Sequence, residues 1–270
     1  MPTLHIVLLA LVQGVTEFLP ISSSGHLVLL PWFAGWQDQG LTLDVAVHVG
    51  TLGAVVAYLW RDIADMLSGL WRALKGKGVG KDARLAFYLV LGTLPIIGAG
   101  YAMNLYYPDG LRSIAVIGWA TLGFGVLLWL ADRFSVTLRR MEHLGLSDVM
   151  IIGVAQCLAL IPGTSRSGIT MTAGRLLGLE RVDCARFSML LSIPAIVGAG
   201  TLKGLELYEK GDPVLIGNVL VAAGLAFVSA LIAIALMMAW LKRASFTPFV
   251  IYRILLGGVL LAVSYGYLTI

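Results

Sequence analysis

Two short stretches carry most of the chemistry in this chain. QGVTEFLPISSSGH (13–26) sets Gln13, Glu17, Ser22, Ser23, Ser24 and His26 among apolar neighbours, and PGTSRSG (162–168) sets Gly163, Thr164, Ser165, Arg166 and Ser167 in similar surroundings. Gln13 and Glu17 are four residues apart, so on a helix they share a face. Arginine is suited to bidentate recognition of phosphate oxygens. A Gly/Ser loop that opens a helix turns backbone N–H groups and a positive dipole end towards an anion. If the two stretches meet, a carboxylate, several hydroxyls, an imidazole and a guanidinium converge on one small volume. The ligand this implies is a phosphate group attached to something that belongs in lipid.

Lipid enters through composition. Of 270 residues, 59% are hydrophobic and only 13% charged, and the mean hydropathy is +0.90. Soluble domains are nearer a quarter charged. Several apolar runs reach the roughly 20 residues needed to cross a bilayer. The expected class is an all-α integral membrane protein. Nucleic-acid binding is a poor explanation of the net charge of +4, because the basic residues are not interleaved with aromatics on a polar domain. Cys157 and Cys184 lie in or beside apolar segments, without metal-ligand spacing or the look of a disulfide. The first segment has no basic n-region and is interrupted by Glu17 and Pro20, so no cleavable signal peptide is expected.

Six runs are long enough to span, or nearly so: 43–60, 85–106, 111–131, 187–207, 214–241 and 248–268. Residues 4–19 and 148–161 are apolar but short, and each ends at a proline. A small-polar cluster follows each, then a second short apolar piece, 25–35 or 168–178. Such broken halves read as re-entrant segments, tolerated at depth where they are buried in protein or line a wet cavity. Gln13 precedes Gly25 by twelve residues, and Gln156 precedes Gly168 by the same twelve. A re-entrant pair followed by three spans thus occurs twice, in 1–135 and 144–270 of a single membrane domain. An odd number of spans inverts the second copy, and inverted repeats with broken helices place a site at their interface.

Loop charge orients the chain. Arg61, Arg72, Lys75, Lys77, Lys81 and Arg84 fall in the loop 61–84, Arg133, Arg139 and Arg140 in 132–147, and Lys242 and Arg243 in 242–247. Arg175, Arg181 and Arg186 share that side, while the opposite side has Arg112, Lys203 and Lys210. The positive-inside rule makes the first side cytoplasmic, with both termini and the catalytic pocket outside.

At the two polar stretches the sequence resembles the undecaprenyl pyrophosphate phosphatases, the BacA/UppP family of bacterial membranes. The resemblance extends over the length, the spans, both re-entrant regions and both motifs in order. It implies removal of the terminal phosphate from the C55 isoprenoid diphosphate in the bacterial inner membrane. That reaction regenerates the carrier for peptidoglycan and other envelope polymers and protects against bacitracin. Carried over, the active site falls on Glu17, Ser22, Ser23, His26, Thr164, Ser165 and Arg166. The family's first motif, (E/Q)xxxE, is here Gln13 and Glu17, so one carboxylate is present. Gln13 and Glu17 are the candidate ligands of a divalent cation, Mg²⁺ or Ca²⁺, both of which take oxygen ligands. Glu17, Ser23, His26 and Arg166 are the expected catalytic residues; Ser22, Ser24, Gly163, Thr164, Ser165 and Ser167 are expected to bind phosphate. Ser23 is the candidate nucleophile and Ser22 the reserve, with His26 or Glu17 as the adjacent base. Ser23 and His26 are three residues apart, close enough to face each other across a helical turn. Water activated by Glu17 or by a metal-bound hydroxide is the competing nucleophile, and both mechanisms stay open. The partners are the polyprenyl diphosphate and the membrane, and a homodimer is admitted.

A lipid-phosphate transporter or flippase is the alternative, since inverted repeats with broken helices are a transporter architecture; a non-enzymatic scaffold is a third. Outside the motifs, Arg253 reads as snorkelling from the end of the last span to the interface. His48 follows Asp44 by four residues, a pair sharing a helix face in a packing or supporting role.

Overall fold

The computed structural model describes residues 3–35, 41–106, 113–210 and 213–268, with every side chain among them except those of 3, 24, 28, 31–34, 41–42, 199–200, 202–210 and 213–215. Two broken helices organise it. The first is α1 (Thr3–Thr16) and α2 (Ser23–Ala34), joined by 17–22; the second is α7 (Leu146–Gln156), a 3-10 turn (Cys157–Leu160) and α8 (Arg166–Leu176). Around them stand α3 (Leu41–Tyr58), α4 (Trp60–Leu74), α5 (Lys81–Tyr106), α6 (Ile114–Phe134), α9 (Arg181–Lys210), α10 (Pro213–Leu241) and α11 (Thr247–Ser264). The architecture is all-α, as expected of a membrane protein. Among the described residues, α5, α6, Ile216–Leu241 of α10, and α11 are long and apolar enough to cross a bilayer, and α3 with α4 would be a fifth. α9 occupies the remaining predicted run, 187–207, and its side chains are described only in part. Arg112 and the stretch around it lie outside the described residues, as do the side chains of Lys203 and Lys210.

Local signals explain the ends. Ser113 caps α6 by accepting a hydrogen bond from the Val116 N–H. Pro248 opens α11, where a missing N–H costs nothing. Pro95 and Pro194 sit inside α5 and α9, which membrane helices tolerate when neighbours satisfy the freed carbonyls.

The basic stretch 61–84 was expected as a loop, but its first part is α4, bent 80° from α3. Ile63, Met66, Leu67, Leu70 and Leu74 recur at helical spacing. Met66 and Gly69 are buried, while Trp60 and Trp71 are exposed, with Arg61 and Lys75 over their rings. Such aromatics suit the bilayer boundary.

Both re-entrant helices are held by close backbone approach. α1 packs on α10, and α7 on α5. A Cβ on Gly14 would stand 2.8 Å from the Ala226 carbonyl of α10, and one on Gly153 would stand 2.5 Å from the Gly92 carbonyl of α5. Without a hydrophobic drive between helices in lipid, such contact surfaces give the packing its strength.

At the end of the bundle that carries the basic loops, Asp132 accepts from Arg175 Nε at 3.0 Å, from Arg181 Nε at 2.7 Å and from the Phe246 N–H at 3.1 Å. It thereby joins the C-terminal end of α6 to α8, α9 and the start of α11. Arg175, expected among the loop charges, is only 1% exposed and also donates to Thr137 and to the Leu179 carbonyl. Arg139 grips Asp148 at 2.5 Å, and Arg186 pairs with Asp62. Removing one partner of a buried ion pair strands the other charge, at about 3–5 kcal/mol. Asp132→Ala is therefore expected to lower stability by about that amount in a detergent unfolding titration. A wild-type midpoint would show that this network does not hold the fold.

Candidate active site

The two broken helices meet at their tips. Each second half begins with a serine in an unusual conformation: Ser22 has φ 75° and Ser165 has φ 71°, the two non-glycine residues with positive φ among those described. Each hydroxyl caps its own helix, Ser22 Oγ accepting from the Gly25 N–H at 3.3 Å and Ser165 Oγ from the Gly168 N–H at 3.0 Å. A sparsely populated backbone of this kind costs about 1–3 kcal/mol at each residue. What it achieves is a sharp entry that aims the next residue, Ser23 or Arg166, back across the loop.

Both aimed residues reach one carboxylate. Glu17, 6% exposed, accepts from Ser23 Oγ at 2.6 Å and Gln13 Nε2 at 2.8 Å on Oε2, and from Arg166 Nη2 at 2.5 Å on Oε1. His48 Nε2 stands 3.5 Å from Oε2. Gln13 thus shares a face with Glu17 and orients it, the i, i+4 geometry at work. Gln13 Oε1 and Thr164 Oγ1 are buried with no hydrogen-bond partner among the described residues, and buried polar atoms in native interiors ordinarily have a partner, protein, water or ligand.

Ser167 Oγ donates to the Leu19 carbonyl at 2.9 Å and lies 3.1 Å from Ser165 Oγ, so it ties one loop to the other. Gly163, at φ 97°, leads into the second tip; a Cβ there would also stand 2.5 Å from the Ile117 carbonyl. The Ser24 side chain lies outside the described residues.

Two expectations, for His26 and Arg253, need correction. His26 does not face Ser23. Its Nδ1 lies 2.6 Å from the Ser22 carbonyl, which can only accept, so Nδ1 carries the proton. Its Nε2 lies 2.5 Å from the Tyr252 hydroxyl, with the two rings stacked. The turn of α2 that begins at Ser22 carries the imidazole towards α11, away from Glu17. His48 shares a helix face with Asp44, as their spacing suggests. Its Nδ1 bonds the Asp44 backbone carbonyl at 2.6 Å, which turns Nε2 towards Glu17.

Arg253 does not snorkel. It is 0% exposed and donates to five carbonyls: Thr121 at 3.0 Å, Pro20 at 3.3 Å, Ala120 at 3.4 Å, Gly163 at 3.0 Å and Thr164 at 2.8 Å. The sequence held the signal. Phe246, Val250, Arg253, Gly257 and Leu260 recur at spacings of four and three, and all are buried, so Arg253 falls on the inward stripe of α11.

With this geometry in view, the likeness to known proteins is direct. The family described as bacitracin resistance protein BacA matches residues 6–259. A protein of Rhodospirillum rubrum named undecaprenyl-diphosphatase 1 is 55% identical over 269 residues, covering 97% of this chain and 95% of its own length. Undecaprenyl-diphosphatases of Ruegeria pomeroyi and Hahella chejuensis are 53% and 51% identical, covering 98% of this chain and 100% and 99% of their own lengths. Across an all-helical frame whose two broken helices close on Glu17, and with that match over nearly the whole chain, this protein belongs to the bacitracin resistance protein BacA family.

Proposed function

We propose that this site hydrolyses undecaprenyl diphosphate to undecaprenyl phosphate and inorganic phosphate. The observation that carries the reading is the convergence of Ser23 and Arg166, each at the start of a half-helix, on the buried Glu17 carboxylate. Similarity to proteins named undecaprenyl-diphosphatase supplies the substrate. A pure lipid-phosphate carrier would need the arginine and the helix ends but would leave the Ser23–Glu17 contact without a task.

Ser23 is the nucleophile in this reading and Glu17 its base, since the hydroxyl already donates to the carboxylate at 2.6 Å. As Ser23 Oγ bonds to the terminal phosphorus, its proton passes to Glu17 and the bridging P–O bond breaks, releasing undecaprenyl phosphate. Glu17 returns that proton to the leaving phosphate. It then takes one from the water that cleaves phosphoserine, and Ser23 regains its hydroxyl proton. Arg166, the Thr164 hydroxyl and the N-termini of α2 and α8 hold the phosphoryl oxygens, where fixed donors are most effective. Ser22 and Ser165 border the phosphate site as the caps of the two half-helices. Gly163, Ser167 and, by position, Ser24 shape the loops that do so. His26, locked between Ser22 and Tyr252, orients the start of α2.

The donor set fits a divalent cation. Among the described residues no three His, Cys, Asp or Glu side chains cluster as a metal site. The unpartnered Gln13 Oε1, the Glu17 carboxylate and the Ser23 hydroxyl are nonetheless oxygen donors of the kind Mg²⁺ or Ca²⁺ takes, with the diphosphate completing the shell. Such an ion would neutralise phosphate charge as the anhydride breaks.

The division into inverted repeats, 1–135 and 144–270, belongs to the same reading. Ser22 and Ser165 share a strained φ and a capping bond three residues on, and α1–α10 packing is mirrored by α7–α5. The membrane is the bacterial inner membrane, with the pocket opening to the exterior side, an orientation supported by the basic residues of α4 and of the loops 132–147 and 242–247.

Purified protein in detergent is expected to release phosphate from undecaprenyl diphosphate; none released would overturn the reading. Arg166→Lys keeps the charge but loses the planar fork, and turnover should fall about a hundredfold to a thousandfold; near-normal turnover removes Arg166 from the clamp. For the nucleophile, Ser23→Ala should abolish turnover while diphosphate still binds. Substantial turnover by Ser23→Ala, with Glu17→Gln the more damaging change and no phosphoserine trapped in wild-type protein by rapid quench, would establish the water mechanism instead.

Orientation can be read in intact cells. In a background with Cys157 and Cys184 replaced by serine, cysteines at Tyr267 and at Lys77, both exposed positions, are probed with a membrane-impermeant thiol reagent. Tyr267→Cys should be labelled and Lys77→Cys protected; the reverse pattern inverts the topology.

A further inference from the structure

We infer that Arg253 is the positioning residue for both loop tips and that its counter-charge is the substrate's diphosphate. The proposal rests on the phosphatase reading and deepens it. Among the described residues, the other deeply placed arginines have carboxylates: Arg175 has Asp132 and Arg166 has Glu17. Arg253 has none within ion-pair distance, and all its acceptors are backbone carbonyls. A buried cation held by neutral dipoles alone keeps its field, and in membrane it is costly unless something compensates it.

Its acceptors say where that field acts. Pro20 belongs to the first tip and Gly163 and Thr164 to the second, so one guanidinium fixes the separation of the two. It lies directly beneath the start of α8, since a Cβ on Gly168 would stand 2.7 Å from its Nη1. A trans peptide sets N–H opposite C=O, so drawing the Thr164 carbonyl onto Arg253 turns the Ser165 N–H away from it. The charge count at the loops is two guanidiniums against one carboxylate. That excess of positive charge, with the N-termini of two half-helices, matches a polyanion better than a monoanion. Arg253 touches no reacting atom in this scheme; it acts through the loops and through its field.

Two replacements separate those roles. Arg253→Lys keeps the charge but cannot span five carbonyls, and kcat should fall about a hundredfold through misplacement of the tips, with affinity for inorganic diphosphate held within a few fold. Arg253→Met loses the charge as well. It should weaken binding of inorganic diphosphate about tenfold more than binding of monophosphate, the effect of one charge at roughly 10 Å and an effective dielectric near 20. Both affinities are measured calorimetrically on purified protein, with thermal unfolding to confirm that each variant is folded. Equal weakening for the two anions, or none, overturns the electrostatic part, and wild-type kcat in Arg253→Lys overturns the positioning part. If Arg253→Met does not fold, Arg253→Gln replaces it in the anion comparison. Anion affinity needs no turnover, so wild-type protein that binds diphosphate and releases no phosphate would sink the phosphatase reading and the positioning part with it, and leave the electrostatic part to be decided by the anion comparison.

Discussion

A helix that stops inside a bilayer leaves carbonyls with no water to bond, each unsatisfied group costing several kcal/mol. This protein breaks two of its apolar helices, and Arg253 bonds carbonyls at both breaks. Its donors collect carbonyls from both loop tips and from α6 into one fan. Three loop-tip oxygens, those of Pro20, Gly163 and Thr164, share a single side chain from α11, which also reaches the Ala120 and Thr121 carbonyls within α6. The cost is a buried guanidinium, moderated because every N–H used is bonded. The alternative, loops free to open to lipid, would leave more groups unmet.

With the tips pinned, Glu17 can be surrounded. A lone carboxylate at this depth would be expensive, but Gln13, Ser23, Arg166 and His48 approach it from four elements: α1, α2, α8 and α3. Each partner removes part of the penalty and limits where the carboxylate can turn. The strained serines belong to this arrangement. Ser22 and Ser165 carry conformations that cost energy by themselves, and the surrounding bonds over-determine them, a combination that recurs where a site is built before its ligand arrives.

The charged end of the bundle works differently. There Asp132, Arg175, Arg181 and the Phe246 N–H close a network of side chains and main chain that links α6, α8, α9 and α11. Asp132 there is held between two guanidiniums, both of which spend donors on it. That end of the molecule spends its ions on rigidity, while at the loop tips Arg253 bonds carbonyls alone, and Gln13 Oε1 and Thr164 Oγ1 have no partner among the described residues.

Much of this was legible in the chain. Apolar runs of membrane length, the two interrupted segments and the twelve-residue spacing from glutamine to glycine fix the helical class and the broken halves, because hydropathy and Pro/Gly placement act locally. The residues that converge, Glu17, Ser23 and Arg166, stood out because polar groups in lipid are rare enough to need a reason. Direction was not legible. Whether His26 turns to Ser23 or to Tyr252 depends on the positive φ at Ser22 and on a tyrosine 226 residues further along the chain. The same holds for His48, whose i, i+4 neighbour fixed its ring while a different helix supplied its target. Arg253 was misplaced because its distance from the end of a span was weighed and its phase on the helix was not. The sequence by itself determined which residues are polar within the membrane and at what spacing along their helices. Which of them face one another was decided only in three dimensions, because a side chain's partner is set by helix rotation and loop dihedrals that depend on packing from the far half of the chain.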